Sequence, residues 1–466
     1  MNTGRRAAMK GAKKYAVMFV RIMFALLCAC VIPLSTAGEA VAEEDANELQ
    51  RLVDKARPGE TVEVPAGVYE GPLVISKPIT LRASPAGEVR IVHAPDGSDE
   101  PAIRIESGHM TLTGFTIEDG RMKQSPSVLV DSSDRVTMDN LTIRTGSIGI
   151  AIRGSNDVTV RDSRVEWGAA QARPTAKGNG IDLFQAHRAH IVGNTVIGMH
   201  DAIYVEFSDD ARIENNVVER SRYGIHTMYS ERPVILSNTG IMNVTGAMVM
   251  TSRGALVDGN RFAKQTENVH SQGILLFDAH ESVLSDNEVE GNRVGLYVEQ
   301  STDNVIEHNR IRSNFIGIQL LDARENRFRH NVLTGNVADA QAIRSTDNEF
   351  QRNFWDSFQG IDVNGDGVSE LAHSINPFFL GLVEKRPSFQ LLFQSPGMVF
   401  LEGLFQSDRA SWTTDAEPLM TVEDNDGSTS PDGTSGRGGL LHPTGLAGLA
   451  LLAASAFVLV AMRRTI

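Results

Sequence analysis

Cysteine is nearly absent: the 466-residue chain has two, Cys28 and Cys30, both close to the start. Their surroundings read as an export signal. Arg5, Arg6, Lys10, Lys13, Lys14 and Arg21 precede an apolar run from Ile22 to Leu34, and Ala40-Val41-Ala42 offers the small-x-small pattern of a signal peptidase site. Removal of residues 1–42 would leave a mature chain with neither a disulfide nor a thiolate metal ligand. Leu27-Cys28-Ala29-Cys30 matches a lipobox only loosely, so Ala42 is the better cut. Excess positive charge is lacking too. With 44 Lys+Arg against 58 Asp+Glu the net charge is −14, which argues against nucleic acid held by bulk electrostatics. At 41% hydrophobic and 22% charged residues the chain nevertheless has the material for a packed core.

Long hydrophobic runs are equally scarce. Past the signal there is one, Thr444 to Met462, uncharged and followed by Arg463-Arg464. Its length suits a hydrocarbon core, so residues 442–462 are expected to form a single-pass membrane helix with the arginines as cytoplasmic anchors. A buried C-terminal helix would leave a long apolar cylinder in need of cover. Residues 409–441, rich in Asp, Gly, Ser, Thr and Pro, read as a flexible linker. The protein is thus expected on the extracytoplasmic face of a membrane.

What the chain has in abundance is repetition. Asparagines recur at Asn194, Asn216, Asn238 and Asn260, then, after a five-residue insertion, at Asn287, Asn309, Asn331 and Asn353, each step being 22 residues. Asn140 and Asp162 hold the same spacing, separated from Asn194 by a ten-residue excess that matches the insert Ala169 to Gly178. Glycines keep the same step at Gly224 and Gly246, then Gly273, Gly295 and Gly317, with Gly180 and Ala202 upstream. Short β-branched segments such as Val158-Thr-Val160 and Asn304-Val-Ile306 lie between the markers. Leucine-rich repeats share this period but need a leucine-spaced consensus that is missing. The pattern predicts an all-β, single-stranded right-handed parallel β-helix of about a dozen coils over residues 46–357. In it the asparagines stack as a structural column tolerant of left-handed turns.

The repeat also sorts inside from outside. Ile203/Val205, Ile225/Thr227, Ala247/Val249, Ile274/Leu276, Leu296/Val298 and Ile318/Leu320 share one face, the core. Between them, two outward columns run Asp182, Tyr204, His226, Met248, Leu275, Tyr297, Gln319 and Phe184, Glu206, Met228, Met250, Phe277, Glu299, Leu321. So apolar an exposed strip is expected to be covered or used. His226, Met228, Met248 and Met250 form a two-by-two block on adjacent coils, a soft donor set suited to Cu(I). Methionine also serves as an adaptable hydrophobe at docking surfaces, and the two uses are compatible. Phe184, Tyr204, Glu206, Phe277 and Tyr297 are the candidate partner-binding residues. Met199-His200 reads as a turn.

Two further segments stand out. Asp362-Val-Asn-Gly-Asp-Gly-Val-Ser-Glu370 matches the opening of a calcium loop, so residues 358–374 offer Asp362, Asn364, Asp366 and Glu370 as structural calcium ligands. His373 stands where the usual bidentate glutamate would be, and an unmetallated Asp/Gly turn is the plain alternative. Residues 375–408, with Phe378-Phe-Leu380 and Leu391-Leu-Phe393, are too apolar for a free tail and read as a cap on the last coil or as a rest on a membrane partner. β-Helices also host polysaccharide lyases and hydrolases. Asp182, Asp201 and Glu206 lie on or near the outward strip, and Arg222 and Arg253 are conceivable lyase bases, but no Asp-Asp pair with a nearby Gly-His-Gly occurs. No catalytic residue is assigned, and a cell-surface carbohydrate-active or glycan-binding β-helix is the alternative function.

Arg222-Tyr-Gly-Ile-His-Thr-Met-Tyr-Ser230, followed by Asn238 and the Met-rich next coil, resembles the central signature of the NosD family. Asn353-Phe-Trp-Asp-Ser-Phe-Gln-Gly-Ile-Asp-Val-Asn-Gly-Asp-Gly367 and the segment through Ser395-Pro-Gly resemble that family's end. The resemblance spans roughly residues 46–405. It implies an exported β-helix that serves nitrous oxide reductase maturation and handles copper. Its implied partners are an ABC permease and ATPase (NosY- and NosF-like), a copper lipoprotein (NosL-like) and the reductase. The C-terminal spacer and membrane helix depart from relatives that look soluble and periplasmic.

Overall fold

A computed structural model describes residues 48–422 apart from 94–98, 170–171, 266–270, 376–377, 379–381, 383–385, 387–388, 390–391, 393–394 and 406–411. The expected signal (1–42) and membrane span (442–462) lie outside the described residues. Within them no helix is long and apolar enough to cross a membrane.

Valine- and isoleucine-rich triplets cannot bury both faces alone, so the chain winds into a parallel β-solenoid of the right-handed type with about thirteen turns. One coil shows the plan: Tyr223–Met228, Val234–Leu236 and Thr239–Ile241 are its three strands. The first strands of successive coils, from Leu73–Ile75 to Ala338–Ile343, form a 12-stranded parallel sheet, and the two shorter strands line a second continuous sheet. Neighbouring coils pair in register, as in Ile203↔Ile225↔Ala247↔Ile274. The residues assigned to the interior are there: Ile225, Thr227, Val249 and Leu276 are fully buried.

The asparagine column is a hydrogen-bond ladder. Asn238 Oδ1 accepts from the Asn216 backbone N–H (2.9 Å) and side-chain amide (3.0 Å), while its own Nδ2 donates to Ile213 O (2.8 Å) and to Asn260 Oδ1 (3.0 Å). Two expectations are corrected here. Asn140 and Asp162 do not belong to this column, which continues upstream through Ser163, 31 residues before Asn194. Nor do the stacked asparagines take the left-handed turn. The preceding residues do, including Asn215, Ser237, Asp286 and His308 (φ between 52° and 57°), because the asparagine side chain must point inward to reach the neighbouring backbone. A second buried ladder, Asn243-Gln265-Asn292-Asn314-Asn336, and a third, Asn304-Asn326-Asn348, run along other corners.

The glycine markers sit where coils close in. A Cβ on Gly246 would lie 2.5 Å from Gly273 O and 2.6 Å from the Phe262 ring. In the last coil the equivalent position is Asp339, whose carboxyl is held by Ser357; burial, with the charge of Asp356, pushes its pKa up to about 6.

Both ends of the solenoid are closed. At the start, helix Glu48–Lys55 buries Leu49 and Val53, and the Gln50 amide exchanges two 2.9 Å hydrogen bonds with the Val74 backbone. At the other end residues 412–420 return from the expected linker. Asp415 Oδ2 there accepts from the Asn353 backbone (3.1 Å) and side chain (3.0 Å) and from Trp355 Nε1 (3.0 Å). This segment covers the last coil. Within the apolar stretch 375–408, Pro396–Leu404 is helical.

Two outcomes follow. Asn238→Ala leaves buried N–H groups without acceptors and should cost about 2–5 kcal/mol, read as a lower denaturation midpoint in urea; an unchanged midpoint would remove the ladder from the stability argument. Asp339 binds its proton more tightly when folded than at its ordinary 3.8, so its ionisation lowers stability as pH rises from about 4 through 6. Asp339→Asn should therefore raise Tm at pH 7 and flatten the melting profile across that window.

Candidate functional site

In-register pairing places His226 beside Met248 and Met228 beside Met250, so the two-by-two block forms as the spacing requires. Its burial is greater than a surface strip implies. His226 is 6% and Met248 8% exposed, while Met228 and Met250 are half-buried. Coils stacked about 4.8 Å apart let long side chains cover their neighbours, and two aromatic rings close over the imidazole. The Tyr204 and Tyr223 rings pack edge-on at 5.1 and 4.9 Å from it.

Asp201 fixes the orientation of that imidazole. It opens the strand Asp201–Glu206 and is almost wholly buried. Arg222 donates to both its oxygens at 2.8 Å, and His226 Nδ1 lies 3.0 Å from Oδ2. Burial alone would push the Asp201 pKa up, but the hydrogen bonds and charges of His226 and Arg222 outweigh it and hold the pKa below the usual range. An ionised Asp201 accepts a hydrogen bond from Nδ1–H, which in the neutral imidazole leaves Nε2 with the lone pair. Nε2 is buried and has no hydrogen-bond partner. An unpartnered imidazole nitrogen whose ring is aligned by a carboxylate has the chemistry of a metal ligand or a general base. Arg222 is occupied on Asp201 and stacks on the Tyr223 ring at 4.2 Å, so it is no free lyase base. Arg253 pairs with Glu281.

Beside the block lies a cleft of about 870 Å³ lined by Lys177, His200, Arg222, Tyr223, Tyr297 and Glu299, among others. Burial pushes the pKa of His200 down despite the nearby Asp201 charge, and burial also lowers that of Lys177. Tyr204 and Tyr297 are driven well above the ordinary tyrosine range by burial and by their hydrogen-bonded neighbours Glu206 and Glu299. Of the expected docking residues, Tyr204 is thus drawn into the histidine site and Tyr297 into the cleft, while Phe184, Glu206 and Phe277 stay half-buried on the strip. Sequence reasoning noted Asp201 and Arg222 but missed their role. The signal was available, because Asp201 falls in the same register as Tyr223 and opens the strand whose Tyr204 pairs with His226.

The acidic loop is folded back on itself. Asp362 accepts from the backbone of Gly365 (2.6 Å) and Gly367 (2.9 Å), Asp366 from Val368 (2.9 Å) and Glu370 from Val363 (3.0 Å). His373 packs on Trp355 and Phe358. Among the described residues no group of three or more His, Cys, Asp or Glu is arranged to hold a metal.

Comparison with known proteins bears on this arrangement. Residues 167–365 match the family model described as "Periplasmic copper-binding protein (NosD)". Over 146 residues the chain is 28% identical to a "Probable ABC transporter binding protein NosD" of Stutzerimonas stutzeri, covering 30% of this chain and 31% of that one, so the match spans about a third of the relative's length. Among solved structures, an alginate lyase in complex with G6 aligns with a TM-score of 0.52 at 15% identity, covering 66% of this chain and 83% of that chain. Pre-mature gene product 12 of bacteriophage phi29 aligns at 0.50 and 10%, covering 62% and 51%. At such identities these two share the solenoid fold and nothing finer. The block, its carboxylate anchor and the cleft all fall inside the stretch, residues 167–365, over which the chain is similar to the NosD family.

Proposed function

We propose that this protein is an extracytoplasmic accessory of an ABC-type transporter that accepts or presents Cu(I) during maturation of nitrous oxide reductase, with copper as cargo. The observation that carries the reading is His226: Nδ1 is anchored on Asp201, Nε2 is buried and unpartnered, and the strand of His226 and Met228 pairs in register with that of Met248 and Met250. A lone imidazole with thioethers favours a soft monovalent ion and discriminates against hard ions. The anchor keeps the ring's donor nitrogen available, as second-shell carboxylates do for metal-bound histidines. The family's printed description and the relative's printed name support copper and a transporter in general terms. The finer assignment of partners as permease and ATPase, copper lipoprotein and reductase rests on the sequence resemblance. The Met/aromatic strip with Phe184, Tyr204, Glu206, Phe277 and Tyr297 is the surface for the donor or client, and the segment at 442–462 tethers the protein beside its transporter.

We further propose weak structural calcium binding by Asp362, Asn364, Asp366 and Glu370. The ion competes with the backbone N–H groups those carboxylates now cap, so affinity is modest. The carbohydrate-active reading keeps one observation in its favour, the cleft beside a carboxylate-held histidine. Incubation with alginate and a search for unsaturated products separates it from the copper reading.

Met228→Leu with Met250→Leu nearly conserves apolar volume and should leave Tm within a few degrees of wild type. Cu(I) uptake in competition with a chelator should weaken at least tenfold. Asp201→Asn should weaken it by roughly 10–100-fold, the range for lost second-shell partners. Unaltered Cu(I) affinity in both variants would end the proposal. Because the Asp201 pKa is depressed when folded, its stabilisation is complete above about 3.8 and lost as pH falls further. Wild type should lose more Tm than Asp201→Asn below pH 4, and the two profiles should run parallel above pH 5. For the loop, calcium added to chelator-treated protein should raise Tm, and Asp366→Ala should abolish the rise.

A further inference from the structure

At the corner that follows the 12-stranded sheet each coil turns through one left-handed residue. In consecutive coils these are Gly154, Gln185, Phe207, Tyr229, Thr251 and Asp278, with φ from 45° to 53°. Glycine and small polar residues suit that backbone, whereas a bulky aromatic is strained in it. Phe207 and Tyr229 hold it on adjacent coils while each is 43% exposed. Their rings stack at 5.0 Å with planes 12° apart, and the Phe184 ring braces Phe207 edge-on at 5.8 Å. Local strain and solvent exposure together, repeated on neighbouring turns, point to use rather than packing.

The stack borders a shallow cleft of about 480 Å³ lined by Gly154, Asn156, Gln185, His187 and Asp209 together with the two rings. That volume lies in the usual range of small-ligand clefts, roughly 300–1,000 Å³. Gly154 contributes no side chain, which leaves the cleft open on that side. The polar groups around it are held in place. Asn156 Oδ1 accepts from the His187 backbone (3.1 Å), His187 Nδ1 from the Asp209 backbone (3.1 Å), and Asp209 Oδ1 from the Glu231 backbone (2.9 Å). What remains is an outward-facing mixture of amide, imidazole and carboxylate groups beside an aromatic platform.

We propose that Phe207 and Tyr229, with Asn156, Gln185, His187 and Asp209, form a binding site for a short stretch of neutral glycan. A pyranose ring offers an apolar C–H face for the aromatic stack and a rim of hydroxyls for the amides, imidazole and carboxylate, so both halves of the cleft are matched at once. An apolar side chain of a protein partner would satisfy the rings but desolvate the polar rim without return. A neutral sugar fits better than an acidic one. Nearby Arg188 and Arg232 are committed to Asp157 and Asp210, and the chain carries a net charge of −14. The site is distinct from the copper block, although Tyr229 directly follows Met228 and Phe207 follows Glu206. It gives an extracytoplasmic protein a contact with surface polysaccharide.

The test titrates the full chain with maltohexaose, cellohexaose and chitohexaose, followed by saturation-transfer NMR and calorimetry, in wild type and in Phe207→Asn with Tyr229→Asn. Asparagine accepts the left-handed backbone, so the double variant should keep or raise Tm and retain wild-type Cu(I) uptake. At least one hexasaccharide should bind wild type, and its affinity should fall tenfold or more in the variant. The proposal is overturned if no hexasaccharide binds wild type, or if binding survives the substitutions. A Tm lowered by many degrees would make the stack structural. Lost association with the reductase, without glycan binding, would make it a protein-docking patch.

Discussion

A buried side-chain amide that bonds the backbone of the coil before it and the amide of the coil after it is the interaction on which this molecule depends. β-Solenoids have no tertiary packing between distant elements, so register between coils must be enforced locally. The Asn194-to-Asn353 ladder does so at one corner and two further ladders do it at others. A coil displaced by one residue would break the chain of amides and turn its interior residues outward. Every other position inherits its place from that lock.

The candidate block is one such inheritance. Imidazole and thioethers come together because 22-residue spacing becomes side-by-side pairing, with no loop to position them. The carboxylate that aims the imidazole lies one coil earlier and two positions upstream of Ile203, whose Tyr204 neighbour pairs with His226. A rigid sheet thus holds a site that in most proteins would need convergent loops. The cleft at its side is different in kind, since the insert around Pro174–Ala176 contributes one of its walls.

Period and alternation made the solenoid, its core face and both outward columns readable from the residues, because a period of two within a period of 22 leaves little freedom. The fine chemistry was less accessible. Asp201 and Arg222 stand in register positions that look like ordinary polar turn and strand residues, and only burial shows that they neutralise one another around His226. Ser163 replaces the asparagine of the ladder with a shorter acceptor, which is why Asp162, one residue away, looked like the member. Residues 412–420 carry the composition of a linker, yet a single aspartate there, Asp415, finds the last open amides.

That aspartate has a consequence for how the molecule behaves in company. Each asparagine of the ladder both accepts and donates, so an exposed terminal rung would be a template for a second copy stacking end to end. Asp415 Oδ2 accepts three hydrogen bonds and its side chain has no amide to offer onward, while at the start of the solenoid Gln50 returns its bonds to Val74. The ladder therefore has a direction and a stop. A crowded extracytoplasmic compartment would otherwise invite these solenoids to join into fibres, and growth is terminated within the chain itself.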